Sequence, residues 1–537
     1  MDKRTLKTVM TPVVLALAVV FGIMIAPAVK QQRQVAGRAF LPVNGSKLDW
    51  ILGMIAHSYV DSVDVAHLEE DVAIPALLQE LDPHTVYIPA KDMQRTNESI
   101  MGNFGGIGIQ FYKYRDTVVV IKVVPGGPSE AIDVRDGDRI VQVDDSIVAG
   151  RKMSSDKIMG MMRGEIGTDV SLVIHRTGEA NPVVKQITRG SIPLKSVEVA
   201  FMANDTTGYI RVSIFDMNTL AEMNRTIADL TTRGARKLVI DLRGNEGGVL
   251  NIALNMLNEF LDADRLMLYT LGNASPRKEY RSTGRGKYKE IQLAVLIDEL
   301  SASASEIFAG AIQDNDRGVI IGRRSFGKGL VQEQRLLPDG SALRLTVARY
   351  YIPSGRSIQR SYEGGKEKYY GELGERAQHG ELLEKDSIVF DENLKFFTLG
   401  GRPVYGGGGI MPDIFVPVDT AGTSGYFSDL IRTSFLYEFT IDFMDRHRAR
   451  LAGKKEVKEI LDYLNAYNLV NDVANYAEKR GLKRDEAGIK ASRALIDNRA
   501  KAYIARHVMD DAGFFPVFLQ RDDTFAKALE NISIENM

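Results

Sequence analysis

The 537-residue sequence contains no cysteine, and this absence removes several kinds of chemistry. Disulfide bonds, a thiolate nucleophile, cysteine-ligated zinc and a lipid-modified cysteine are all excluded. Histidine is also scarce: the chain has seven, and none lies between His175 and His379. The histidines show no metal-ligand spacing, so we expect neither a metal nor another cofactor. A nucleophile within 176–378 would need a base other than a nearby histidine, and lysine is the obvious candidate.

The sequence also lacks an excess of charge of either sign. It has 68 basic and 70 acidic residues, which gives a formal net charge of −2. No overall basic field points to a nucleic-acid partner, and we expect none. With 44% hydrophobic and 26% charged residues the composition is that of an ordinary globular protein. The length predicts three or four domains of roughly 150 residues each.

One long hydrophobic run is present, at residues 9–29, and three basic residues precede it: Lys3, Arg4 and Lys7. A run of this length can span a bilayer as a helix. The basic start favours a cytoplasmic N-terminus and export of everything after residue 30. We therefore predict a transmembrane signal anchor over 1–30, in a bacterial-type inner membrane, with the remainder periplasmic or extracytoplasmic. The alternative is a cleaved signal, because residues 26–28 (Ala-Pro-Ala) resemble a peptidase site.

Hydrophobic periodicity divides the rest of the chain into four blocks of an α/β protein. Short β-branched runs alternate with helical patterns in the third block, as in a buried parallel sheet. Residues 364–409, which are rich in glycine, are predicted to form loops near the site. The predicted domains are a helical domain (42–100), a strand-rich domain (101–189), an α/β core (190–420) and a charged helical extension (421–537).

A cluster of serines lies at a predicted strand-to-helix junction in the core, and its members are Ser301, Ser303 and Ser305. Ser303 and Glu306 have the spacing of a capping box, which is a purely structural role. A helix N-terminus also offers unpaired N–H groups and positive potential to an oxyanion. The same geometry can therefore serve a nucleophile. Lys328, between two glycines, follows Ser303 by 25 residues.

Two further glycine motifs leave their roles open. Residues 241–248 (DLRGNEGG) follow a predicted buried strand, and their paired glycines suit either a close approach to a ligand or a tight turn. Residues 322–328 match the G-x-x-x-x-G-K pattern of a phosphate loop. That match fails at Gly329, where a magnesium-binding Ser or Thr is required, and no strong helix is predicted after it. Nucleotide hydrolysis remains an alternative function.

These motifs together resemble the C-terminal processing peptidases, also called tail-specific proteases. The resemblance covers roughly residues 45–420, in the order found in that family. It implies an α/β serine-peptidase core, an inserted or preceding PDZ domain, and helical segments at both ends. The matching segments are 81–84 (LDPH), 105–109 (GGIGI), 135–140 (RDGDRI), 241–248 (DLRGNEGG), 301–306 (SASASE), 325–329 (SFGKG) and 409–413 (GIMPD).

The resemblance implies a Ser-Lys dyad with Ser303 as nucleophile and Lys328 as general base, the lysine amine being oriented by Gln332. It places the oxyanion hole at the amides of Ala304 and of either Gly247 or Gly248. A free lysine has a pKa near ~10.4, so burial must favour the neutral amine. Glutamine can accept a hydrogen bond from that amine without adding a full negative charge. The sequence departs from the family at residue 246, where glutamate replaces the usual proline.

The PDZ-like segment implies a substrate class, namely proteins or peptides with free C-termini. Its loop would bind the terminal carboxylate while the peptide adds as a strand. Arg163 matches a family position associated with coupling PDZ occupancy to activity, although it could equally be a solvated turn residue. The resemblance is also compatible with a homodimer formed through the terminal helices. A catalytically silent PDZ scaffold is the alternative from another functional class. The loop residues are Gly106, Ile107, Gly108 and Ile109.

Overall fold

The computed structural model describes residues 46–532, so the anchor predicted over 1–30 lies outside the described residues. Contacts divide the described residues into two compact units, one that ends at Pro89 and one that begins at Ala90. Within 46–532, no helix is both long and apolar enough to cross a membrane.

The described part of the first unit is mainly helical. Its first helix is capped by Ser46, which exchanges hydrogen bonds with Asp49 across the first turn. Later in the unit, the Asp82 carboxylate accepts the backbone N–H groups of His84 and Thr85, which makes the predicted turn. The elements are α1 (Lys47–Ser58), α2 (Val65–His67), a π-helical turn (Leu68–Ala73), α3 (Ile74–Gln79) and β1 (Val86–Ile88).

The second unit begins with a helix and a small β domain. The main sheet of this domain has the order β3-β4-β5-β7-β8, with β6 paired to β5, while β2 pairs with β9. Alternate residues of β4, Val118 and Val120, point into its core, as a strand with one inner face requires. The elements are α4 (Ala90–Met101), β2 (Asn103–Gly106), β3 (Ile109–Tyr114), β4 (Thr117–Val123), α5 (Pro128–Ala131), β5 (Arg139–Val143), β6 (Ser146–Ile147), α6 (Ser155–Met162), β7 (Asp169–His175), β8 (Val183–Thr188) and β9 (Gly190–Pro193).

A second six-stranded sheet forms the centre of the unit. Its order is β10-β11-β12-β15-β16-β21, where β21 is the short strand Ile414–Phe415, and all neighbours are parallel except β10 and β11. Apolar residues of α7, α8 and α9 pack on one face of this sheet. The elements are β10 (Val197–Met202), β11 (Thr207–Val212), α7 (Thr219–Thr232), β12 (Lys237–Asp241), α8 (Leu250–Asn258), β13 (Leu266–Leu271), β14 (Lys278–Arg281), β15 (Gln292–Ile297), α9 (Ala304–Asp314) and β16 (Val319–Gly322).

A third sheet and the glycine-rich segment flank this core. The third sheet contains β17-β18-β13-β14 in that order. The prediction that 364–409 consists of loops is wrong in part, because a 14-residue helix and a hairpin lie within it. Only Tyr369 and Arg376 are buried on that helix, so its sequence lacks the helical spacing of apolar residues that would predict it. The elements are β17 (Leu330–Leu336), β18 (Ala342–Tyr351), α10 (Gly365–Gln378), two 3₁₀ turns (Lys385–Ser387 and Glu392–Leu394), β19 (Lys395–Phe397), β20 (Pro403–Tyr405) and β21 (Ile414–Phe415).

Helices make up the C-terminal part of the second unit. One of them packs on the outer face of the small β domain, where the rings of Tyr112 and Tyr437 lie 4.9 Å apart and Tyr114 donates to Asp442. The last helix covers the second face of the central sheet. The elements are α11 (Gly425–Arg432), α12 (Phe435–Leu451), α13 (Val457–Leu464), α14 (Leu469–Glu478), α15 (Glu486–Ala491), α16 (Arg493–Met509), α17 (Asp511–Phe518), a 3₁₀ turn (Leu519–Arg521) and α18 (Asp523–Asn531).

Candidate active site

Ser303 lies where the chain turns from β15 into α9. Its backbone has φ 54° and ψ −112°, a conformation that residues other than glycine rarely adopt. Such a residue costs on the order of 1–3 kcal/mol and persists only where its surroundings impose it. The other two serines of the cluster have structural partners: the Ser301 hydroxyl donates to the Leu242 carbonyl, and the Ser305 hydroxyl donates to the Asn245 carbonyl. The strained turn therefore singles out Ser303.

Lys328 lies in the loop between β16 and β17. Its Nζ donates to Oε1 of Gln332 at 3.0 Å, so the structure brings together these two predicted residues. The chain continues after Lys328 as strand β17, whereas a phosphate loop must lead into a helix whose N–H groups bind the phosphates. The nucleotide-binding alternative is therefore wrong.

Glu306 joins the two loops. Its Oε2 accepts the backbone N–H groups of Ser303 and of Lys328, each at 2.9 Å. Its Oε1 accepts the Ser325 hydroxyl at 2.5 Å and the Gly327 N–H at 2.7 Å. One buried carboxylate thus sets the backbone of the serine turn against the backbone of the lysine loop, two segments that are distant in sequence.

The environment of Glu306 acts on its ionisation in two opposing directions. Burial raises its pKa and the four hydrogen-bond donors lower it; burial dominates, and the resulting pKa is about 7. A second bridge comes from β18: the Tyr350 hydroxyl lies 3.2 Å from the Ser303 carbonyl and donates to the Lys328 carbonyl. Both bridges act on main-chain atoms of Ser303 and Lys328.

The glycine pair after β12 lies against the serine turn. Gly247 has φ 105°, and a Cβ built there would lie 2.8 Å from the Ser303 Cβ and 2.9 Å from the Ala304 nitrogen. The Gly247 N–H already donates to the Asn245 side chain at 2.8 Å. Gly247 is buried and Gly248 is exposed. Of the two predicted oxyanion amides, Gly248 is therefore the better donor to pair with Ala304.

Buried charges support the start of this glycine loop. The Asp241 carboxylate is fully buried and contacts the guanidinium groups of Arg243, at 2.6 Å, and Arg211, at 3.4 Å. Burial opposes ionisation of Asp241, but these arginines outweigh it and lower its pKa to about 2. Arg243 also pairs with Asp522 at 2.8 Å. Glu246, the residue at which the sequence departs from the family, is exposed on the outer side of the loop.

The predicted carboxylate-binding loop lies between β2 and β3 of the small β domain. Ile107 is buried, and Gly108 has φ 78°, a value that glycine adopts without strain. Strand β3, which starts at Ile109, is at the edge of its sheet, and among residues 46–532 it pairs only with β4. Arg163, at the end of α6, stacks 4.0 Å over the ring of Phe104, so it is not a freely solvated turn residue.

Similarity to known proteins is concentrated in these regions. Residues 206–365 match the model of peptidase family S41, and residues 105–183 match a PDZ domain. A probable CtpA-like serine protease from Staphylococcus haemolyticus (strain JCSC1435) is 31% identical over 314 residues, which make up 58% of this chain and 62% of that protein. The chain therefore contains an S41 peptidase domain preceded by a PDZ domain. Residues 426–510 of the chain match a family of unknown function, DUF8443.

Two other similar proteins also match only part of this chain. The relative from Staphylococcus epidermidis (strain ATCC 12228 / FDA PCI 1200) is 30% identical and aligns over 59% of this chain and 63% of its own. The chain thus spans less than two thirds of the length of these curated relatives. Among solved structures, the photosystem II D1 C-terminal processing protease is 30% identical, with 58% of this chain and 83% of that chain covered and a TM-score of 0.35.

Sequence reasoning missed several residues of this S41 site. It gave Glu306 only a capping role and assigned nothing to Tyr350 or Arg376. The i to i+3 spacing of Ser303 and Glu306 was the one available signal, because the other contacts of these residues join segments far apart in the chain. Only the folded structure brings those segments together.

Proposed function

We propose that this protein is a carboxyl-terminal processing serine endopeptidase that recognises substrate C-termini through its PDZ domain and cleaves peptide bonds with Ser303 and Lys328. The observation that carries the proposal is the single Glu306 oxygen that accepts the amides of both residues at 2.9 Å. A serine in a strained strand-to-helix turn, held beside a lysine loop, is a suitable arrangement for nucleophilic catalysis without histidine.

In this mechanism the neutral Lys328 amine takes the proton of the Ser303 hydroxyl as Oγ attacks the substrate carbonyl carbon. The tetrahedral oxyanion accepts hydrogen bonds from the amides of Ala304 and Gly248. The C–N bond then breaks, and the lysine ammonium returns its proton to the leaving amine. Water attacks the acyl-enzyme with Lys328 again as base, which releases the new carboxylate and restores Ser303. Gln332 orients the amine throughout, through its hydrogen bond to Nζ.

The PDZ domain would bind the substrate terminus at its edge strand. A peptide that adds to β3 places its terminal carboxylate near the loop of Gly106, Ile107 and Gly108. Edge position and loop geometry support this assignment. Coupling between an occupied PDZ domain and the peptidase core through Arg163 is part of the same proposal, supported by the stacking of that arginine on Phe104.

A single-pass membrane anchor and an extracytoplasmic active site complete the proposed function. The hydrophobic run at 9–29 and the basic residues before it support this placement. Assembly into a homodimer stays a prediction. Recovery of the full chain in the membrane fraction, with residues after 45 open to protease added from the extracytoplasmic side, would test the topology.

The decisive experiment measures cleavage of an unfolded protein that has a free C-terminus. The wild-type soluble part, from about residue 40, is compared with Ser303→Ala, Lys328→Ala and the control Lys278→Ala, which alters an exposed lysine on β14. We expect wild type and the control to cleave at equal rates. Both dyad variants should lose at least ~10³-fold in kcat, since the nucleophile and its base act as a unit.

Each variant is also tested for folding by circular dichroism and for binding of a C-terminal peptide. Folded dyad variants that bind the peptide but do not cleave would support the peptidase. If the wild type also binds without cleaving, the silent-scaffold alternative replaces it.

A further inference from the structure

Arg376 makes an unusual pair of contacts with the lysine loop. It lies near the end of helix α10, and its side chain is only 4% exposed. Its Nη1 donates to the Ser325 carbonyl at 3.1 Å and its Nη2 to the Arg324 carbonyl at 2.8 Å. A guanidinium group has a rigid fork of donors, so one side chain fixes two consecutive peptide carbonyls. These carbonyls precede Lys328 by only a few residues.

Glu381 holds this guanidinium group in place. Its Oε1 accepts Arg376 Nε at 2.9 Å, and its two oxygens accept Arg324 Nε at 2.6 Å and Nη2 at 2.7 Å. The Glu381 side chain is 8% exposed, so these charge-assisted bonds are shielded from water. We call Arg376 and Glu381 the carbonyl clamp.

The clamp and Glu306 hold opposite sides of the lysine loop. Glu306 accepts the N–H groups of Gly327 and Lys328, whereas the clamp donates to the carbonyls of Arg324 and Ser325. Ring contacts add a third restraint, because Phe326 packs edge-on against Tyr369 of α10 at 5.9 Å. The backbone on both sides of Phe326 is thus fixed by buried charged groups.

The clamp lies in a part of the chain that the family model does not cover, since the S41 match ends at residue 365. We propose that Arg376 and Glu381 are positioning residues for the general base: they set the backbone of the lysine loop so that the Lys328 amine stays beside Gln332 and in reach of Ser303. This inference rests on the proposed peptidase function and extends it to the segment after residue 365.

A loosened loop should affect the base in two ways. Misplacement by about 1 Å can cost on the order of 10²-fold in rate. A lysine amine that gains access to water also becomes easier to protonate. The acidic limb of the pH–rate profile should therefore move to higher pH, so activity lost at pH 7 partly returns at pH 9.5.

The ionisable groups around the loop are Glu306, Arg324, Tyr350, Arg360, Tyr369, Arg376 and Glu381.

The test compares kcat, KM and the pH profile of four variants with wild type. Arg376→Gln removes the fork, Arg376→Lys keeps the charge but can reach one carbonyl, and Glu381→Gln releases the guanidinium group. Lys366→Gln alters an exposed lysine of the same helix and serves as the matched control. We expect losses in kcat of roughly 10-fold to 100-fold for Arg376→Gln and Glu381→Gln, intermediate values for Arg376→Lys, and none for the control.

KM and peptide binding to the PDZ domain should stay unchanged, and the acidic limb should move by about one pH unit. An unchanged pH–rate profile in folded Arg376→Gln or Glu381→Gln would refute the positioning role of the clamp. A loss in kcat that is equal at every pH would refute it too. Neither result would contradict the peptidase function. If Arg376→Gln does not fold, Arg376→Lys and Glu381→Gln decide the question by the same criteria. Wild type that fails to cleave would refute the proposed function itself.

Discussion

At the scale of single residues, the site depends on main-chain groups that are held by buried side chains. Ser303 has a strained backbone, and Glu306 fixes it by accepting its N–H. The same carboxylate accepts four donors, which a carboxylate can do in full but a protonated acid cannot. The geometry therefore favours the ionised group, while burial favours the neutral one.

This conflict gives a prediction for stability as a function of pH. The pKa of Glu306 rises from 4.5 to about 7 on folding. The folded protein therefore holds this proton more tightly, so the stabilising contribution is complete below pH 4.5 and is lost as pH rises through 7. Relative to Glu306→Gln, which cannot titrate, wild type should lose about 3 kcal/mol between pH 4.5 and pH 8.

Urea unfolding of both proteins across this pH range measures that difference. The exposed Glu367→Gln on α10 is the control, and its difference from wild type should stay constant. A constant difference for Glu306→Gln as well would mean that the four donors keep the carboxylate charged throughout.

Residue-level motifs predicted part of the site. Ser303 and Lys328 could be named because each lies in a short motif, and Gln332 because it follows Lys328 by four residues. The structure places Lys328 Nζ 3.0 Å from Gln332 Oε1. The preference for Gly248 over Gly247 as the oxyanion donor required the hydrogen bond between Gly247 and Asn245, which no sequence motif indicates. Tyr350 and Arg376 act on carbonyls across long stretches of chain, so sequence alone gave them no role.

At the scale of elements, the strands and helices of the core were the more predictable part. The strand Lys237–Asp241 was predicted to the residue, because a buried parallel strand is a continuous apolar run. Helix α10 was missed since its stability comes from polar contacts of Arg376 and from Tyr369 rather than from an apolar stripe. The predicted domain limits themselves stay predictions.

Strand β3 carries the prediction about substrate recognition. Within the described residues it pairs only with β4, so its other edge can accept a peptide strand. We expect a peptide substrate with a free C-terminal carboxylate to have a kcat/KM on the order of 10-fold above that of its C-terminal amide, because charge-assisted hydrogen bonds to the loop are lost.

The control for this comparison is acetylation of the same peptide's N-terminus, which removes a charge far from the carboxylate and should change little. Equal kcat/KM values for acid and amide would show that the PDZ domain does not read the terminal carboxylate.

At the scale of the whole molecule, the C-terminal helices link the PDZ domain to the peptidase core. Helix α12 packs on the outer face of the PDZ sheet, where Arg139 pairs with Asp445 at 2.5 Å. Helix α18 packs on the central sheet, where the rings of Phe525 and Tyr209 lie 5.2 Å apart. Tyr209 in turn donates to Asp241 beneath the glycine loop. The helices after residue 420 therefore pack on both the PDZ sheet and the central sheet.

Phe525→Ala tests that link. The side chain is buried against the central sheet, and its removal leaves a cavity next to Tyr209, which should lower the free energy of unfolding by about 3–5 kcal/mol. Lys527→Ala, an exposed change on the same helix, should stay within about 0.5 kcal/mol of wild type. Urea unfolding is followed by circular dichroism and by residual peptidase activity. If α18 is part of the core, the two signals shift together to lower urea; separate transitions would mean that the helix detaches while the peptidase sheet stays folded.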